Sequence, residues 1–200
     1  MTGSIIMIIL ALMALIGIGS PAIKDFRLPS VVIAVLFGLI AGLNFIPTIY
    51  IGEFSFSVGT ALLFLSAFLI WIFKGKIKNR LICLLVTVAL GGALYGAIRL
   101  ASFYGNGLWG KINPYYALIV GAIAFVATRN AKYGFISAVL SVGIATVLSQ
   151  IGLVFALDEG FTPAVIAGAT AIVLYCVVAK LMPSRPNKAT YYFETGRMLD

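Results

Sequence analysis

The side chains able to do chemistry in this sequence are mostly uncharged. Asn44 and Thr48, Ser57 and Thr60, and Thr146, Ser149 and Gln150 interrupt otherwise apolar stretches, and Thr162 opens another. Positions 146, 149 and 150 have the spacing of a single helix face. Hydroxyl and amide oxygens grouped in this way can replace part of an ion's hydration shell or bond a small solute. Three acids, Glu53, Asp158 and Glu159, lie close to them in the chain. If the segments that carry them adjoin, these residues form a polar pocket with an acidic mouth.

Packing is the competing account. Serine and threonine in apolar helices bond their own backbone. Ser137, Ser141, Ala145 and Ser149 recur every four residues, and Gly38 with Gly42, Gly92 with Gly96 and Ala164 with Gly168 repeat that spacing. Such small-residue ridges let helices approach closely. Asp158 and Glu159 precede a helix start, where negative charge suits the helix dipole. Asn44 and Gln150 are the hardest to absorb, because a buried amide needs partners.

Other chemistry is excluded by what the chain lacks. It has no histidine, so His-containing zinc sites, His-ligated haem and Ser-His-Asp or Cys-His catalysis are absent. Cys83 and Cys176 stand alone in apolar runs without CxxC spacing; they read as small buried hydrophobes, with a disulfide between them unsupported. No catalytic residue, metal site or cofactor is expected, and the reading is that the chain is not an enzyme.

The elements that must position the polar residues follow from composition. The 200 residues are 62% hydrophobic and 10% charged, with a mean hydropathy of +1.12. Soluble domains carry about a quarter charged residues, so this domain belongs in a bilayer. A hydrocarbon core of about 30 Å needs about 20 apolar residues per helix. Seven segments qualify: 4–21, 30–50, 55–73, 81–98, the short 115–128, 135–157 and 162–182. They are apolar all round and lack the alternation of a membrane barrel, so the fold class is all-α, a polytopic helical bundle. Pro29, Pro114 and Pro163 sit at starts and Pro21 and Pro183 at ends, whereas Pro47 falls inside the second segment, near its end.

Charge tests the count independently. With seven crossings one face receives twelve basic residues, from Lys24 and Arg27 through Lys74–Arg80, Arg129, Lys132 and Lys180 to Arg197, and the other only Arg99 and Lys111. The positive-inside rule then places the amino terminus outside and the carboxyl terminus in the cytoplasm. The net charge of +8 reflects topology and implies anionic lipid at the cytoplasmic face, with no nucleic acid. Met1-Thr2-Gly3-Ser4 has no basic n-region, so the first segment does not read as a secretory signal. Residues 1–182 form the transmembrane domain and 183–200 a polar cytoplasmic tail; the expected location is the cell inner (plasma) membrane. The topology also turns the polar pocket outward. The longest connection, 99–114, is aromatic and glycine-rich, either a lid or docking surface or an interfacial turn anchored by Trp109.

Asn44-Phe45-Ile46-Pro47, Phe56-Ser57-Val58-Gly59-Thr60-Ala61-Leu62, Asn113-Pro114-Tyr115-Tyr116-Ala117-Leu118 and Ala127-Thr128-Arg129-Asn130 resemble an uncharacterised domain-of-unknown-function family of polytopic bacterial and archaeal membrane proteins. The similarity spans roughly 27–178. Relatives carry a glycine where Thr60 stands and often an aspartate near Ser149-Gln150. The resemblance implies a multi-helix inner-membrane fold and no established activity, so it assigns no site residues.

Two functions fit these features. One is a small-solute or ion transporter or channel component with an outward-facing polar pocket. The other is a non-catalytic structural or assembly subunit, partnered by another membrane protein or by further copies of itself. Asn44 and Gln150 lining a cavity favour the first; the same amides bonded to neighbouring helices favour the second.

Overall fold

A computed structural model describes residues 2–26, 28–52, 54–73, 77–104, 112–150 and 155–181. It is mostly helical. The elements run α1 (Thr2–Ile16), α2 (Ser20–Phe26), α3 (Ser30–Leu43), β1 (Ile49–Ile51), β2 (Phe54–Phe56), α4 (Val58–Phe73), α5 (Ile77–Phe103), α6 (Pro114–Thr128), α7 (Ala131–Ser149), β3 (Phe155–Ala156) and α8 (Phe161–Leu181), with a 3₁₀ turn at Leu157–Gly160. The expected domain limit at 182 and the tail beyond it lie outside the described residues.

Among the described residues, three helical stretches are long and apolar enough to cross a bilayer alone: α5, α7, and α8 with its leading 3₁₀ turn. Helices α3, α4 and α6, of 14, 16 and 15 residues, are apolar but shorter, each about 21–24 Å long at 1.5 Å per residue. Helices α1 and α2 together meet the length test but are bent by 94°. The expected first segment is therefore two helices. Gly17, at φ +80°, adopts a left-handed conformation that costs other residues energy, and it turns the chain sharply before Pro21.

The second segment also ends early as a helix. Asn44 caps α3, and Pro47 has no N–H to continue it. The residues beyond form a hairpin: Ile49 pairs with Phe56 and Ile51 with Phe54, antiparallel, around Gly52 at φ +60°. β3 joins β2 in parallel, with Ser55 opposite Ala156. This three-stranded sheet was not anticipated in the sequence, where its residues counted toward helices two, three and six.

Contacts between helix ends fix their directions. At one end the start of α1 meets the end of α3 (Ser4 with Asn44) and the start of α8 (Gly3 against Phe161 and Thr162). At the opposite end α2 reaches the start of α7, where Asp25 accepts a hydrogen bond from the Ala131 N–H at 3.1 Å. Cys83, early in α5, touches Ser137, early in α7, and further along Gly91 packs on Ser141 and Ile144, so α5 and α7 are parallel. Gly134 and Gly168 place the start of α7 beside the middle of α8, while Thr146, late in α7, meets Gly160 just before α8, so these two are antiparallel. Taking α1 with α2 as one passage, the helices alternate in direction along the chain.

Helix α7 is the axis of the bundle, packed against α4, α5, α6 and α8. It is buried on nearly every side, from Ala131 through Val139 without a break. Its small residues Ser137, Ser141 and Ala145 are each 0% exposed, as close helix contact in a membrane requires. Gly121 of α6 lies so near α8 that a Cβ would stand 2.3 Å from the Ala167 carbonyl oxygen.

Candidate functional site: a carboxylate clasp at one end of the bundle

The polar residues converge where α1, α3, α4 and α8 meet, and Asp158 is the centre. It sits in the 3₁₀ turn that leads into α8. Its carboxylate reaches across to the start of α4: Oδ1 accepts from the Ser57 N–H and, at 3.3 Å, from the Thr60 hydroxyl, while Oδ2 accepts from the Thr48 hydroxyl at 2.7 Å. These hydrogen-bond partners are all neutral.

Local structure explains the convergence. Ser57 immediately precedes α4, and its Oγ accepts from the Thr60 N–H at 3.2 Å, the usual way a serine satisfies an orphan amide at a helix start. Asp158 satisfies another, that of Ser57 itself. The hydroxyl protons can then be assigned. Ser57 has one, donated to Asn44 Oδ1 at 2.7 Å. The 2.7 Å contact between Ser57 Oγ and Thr60 Oγ1 must therefore be donated by Thr60, which shares its proton between Ser57 and Asp158. Asn44 completes the chain, its Nδ2 donating to Ser4 Oγ at 3.0 Å. Ser4, Ser57 and Thr60 are buried, Thr60 completely.

The remaining candidates behave differently. Gln150 pairs with the backbone of Ala156 in both directions, Nε2 to the carbonyl and Oε1 from the N–H, each at 2.9 Å. It ties the end of α7 to β3 as an extra strand would. Thr146 and Ser149 donate within α7, to the carbonyls of Val142 and Thr146. Thr146 also packs on the clasp's 3₁₀ turn, because a Cβ on Gly160 would lie 2.6 Å from its Oγ1. Thr162 is half-buried against Gly3, and Glu159 is exposed. Glu53 lies outside the described residues, as does most of the aromatic loop after Tyr104.

The structure thus brings together Asn44, Thr48, Ser57, Thr60 and Asp158 around hydrogen bonds to one another, while Thr146, Ser149 and Gln150 serve the neighbouring helix end. Among the described residues no group of histidine, cysteine, aspartate or glutamate could hold a metal ion.

Two features were missed in the sequence. Ser4 carries the clasp to α1; in the sequence it is simply the first residue of the first apolar segment. At the other end Asp25 gathers the Ala131 N–H and the Tyr175 hydroxyl, beside Asn130, whose side chain caps α7 by accepting from the Tyr133 N–H at 3.1 Å. Lys132, also buried there, holds its ammonium 4.8 Å from the centre of the Tyr133 ring, a cation–π distance.

In comparison with known proteins, no family model matches this chain, and neither a curated protein nor a solved structure matches it.

Proposed function

We propose that this chain is a multi-pass membrane protein of seven crossings, amino terminus outside and carboxyl terminus in the cytoplasm, acting without catalysis as a structural or assembly subunit of a membrane complex. The alternation of helix directions and the twelve-to-two division of basic residues support the topology. The functional reading rests on one contrast among the glycines. Gly59, Gly121 and Gly168 are closed against neighbouring helices, where a Cβ would fall within 2.6 Å of other atoms or closer. Gly38 and Gly42 on α3, and Gly92 and Gly96 on α5, would meet nothing within 4 Å. Among the described residues no helix packs against these two glycine pairs at four-residue spacing, three of them exposed and Gly96 half-buried, and such spacing is the geometry that brings membrane helices into contact. The polar amides, meanwhile, are bonded within the fold.

The test is purification of the full chain in a mild detergent with crosslinking in native membranes. Replacing Gly42 and Gly96 by leucine, both on open faces, is expected to abolish a crosslinked complex and leave the monomer folded. A chain that is monomeric in bilayers before any substitution overturns the reading.

One observation favours transport instead: Asp158 is a carboxylate among neutral donors, with the oxygens of Thr48, Ser57, Thr60 and Asn44 around it. On that reading the clasp opens to admit a monovalent cation or small polar solute. Uptake into vesicles that is lost in Asp158→Asn supports it, and absence of uptake in the unaltered chain removes it.

A further inference from the structure

The bend at Gly17 has a second result, an apolar cleft of about 220 Å³ between α1, α2, α3 and the later half of α8. Met13, Phe26, Phe37, Val173 and Val177 are among its walls, and Lys180 stands at its edge, exposed on the last turn of α8. Among the described residues, Lys180 is the only charged one lining it. Its walls are apolar everywhere except at one cationic edge. A lysine at that place can lay its methylene stem on the apolar wall and hold its ammonium at the headgroup level. The matching ligand has a long apolar chain and an anionic head.

We propose that the cleft holds one acyl chain of an anionic phospholipid, with the lipid phosphate at the Lys180 ammonium. The site is distinct from the glycine faces of α3 and α5 and does not depend on a protein partner. Its orientation matches the charge pattern of the sequence, since Lys180 lies on the face with twelve basic residues, where anionic headgroups are attracted.

The experiment uses the full chain in phosphatidylcholine nanodiscs. These contain traces of a lipid with a photoreactive acyl chain and either a phosphatidylglycerol or a phosphatidylcholine head. Crosslinked residues are mapped by mass spectrometry. Cleft residues are expected to take the phosphatidylglycerol probe about fivefold more than the phosphatidylcholine probe, the preference one lysine confers near an anionic headgroup. Lys180→Gln, at an exposed position, equalises the two probes without abolishing labelling. Val177→Trp, at a position 45% exposed, narrows the cleft and lowers labelling by both. Equal labelling by the two probes in the unaltered chain overturns the proposal, as does labelling unchanged in Val177→Trp. Crosslinks from the cleft to a second copy of the chain overturn it in favour of a protein occupant.

Discussion

Asp158 accepts from three donors that belong to two segments nearly a hundred positions or more away in the chain. Hydrogen bonds to an ionised acceptor stabilise by about 1.5–3 kcal/mol, and an amide in its place turns an acceptor oxygen into a donor. Asp158→Asn is therefore expected to lower stability by about 2 kcal/mol, read as a lower thermal midpoint in detergent. Thr60→Cys gives a complementary readout. Because Thr60 is fully buried, a cysteine there is expected to stay unreactive toward an impermeant thiol reagent until the protein unfolds. Rapid labelling of the folded protein would mean that the clasp opens. Which polar residues mattered was legible in the sequence; what they bond was not. Asn44, Ser57 and Thr60 stood out as polar atoms in apolar runs, but a hydroxyl in such a run can bond its own backbone or a neighbour. Only the three-dimensional arrangement separates Thr146, which bonds within its helix, from Thr48, which does not.

At the level of elements, glycine spacing alone does not reveal which faces are occupied. Gly121→Ala sets a methyl against a backbone oxygen of α8 and is expected to destabilise by about 1–3 kcal/mol. Gly92→Ala meets open space and gains helix propensity worth up to about 1 kcal/mol. Thermal unfolding of the two variants in detergent should move in opposite directions, and equal losses would mean that the α5 face is already filled. Gly17→Ala tests the bend: at φ +80° a Cβ costs about 1–2 kcal/mol, so the same assay should show a loss although no side chain crowds that position. All seven apolar segments of the sequence contain a helix, because their length and hydropathy leave few other choices in a bilayer. The sheet and the bend escaped for a common reason. Ile49, Ile51, Phe54 and Phe56 raise hydropathy as much in a strand as in a helix, and Gly17 and Gly19 lie in a run apolar enough to hide a break.

For the molecule as a whole, the division of basic residues supports the proposed topology, which can be read with reporters. A fluorescent protein fused after Asp200 is expected to fluoresce and a phosphatase at the same position to be inactive, since the latter requires export. Cysteines at Tyr50 and Glu159 should react with an impermeant reagent from outside and one at Lys78 should not. The reverse pattern overturns the topology. Helix neighbours were much less legible. In lipid the outer and inner faces of a helix are equally apolar, so nothing in α7 apart from its small residues marked it as the axis, and nothing marked α5 as the helix lying along it.

The clasp also has a consequence in time. Ser57 and Asp158 are separated by 101 positions, so a chain emerging from the ribosome exposes Thr48, Ser57 and Thr60 long before their shared acceptor exists. The axis helix and the carboxylate both arrive late. Until then the Thr48 hydroxyl and the Ser57 N–H lack the acceptor they have in the finished fold. A product halted before Asp158 would lack the acceptor that joins the start of α4 to the turn leading into α8, so the clasp forms only once that turn has been made.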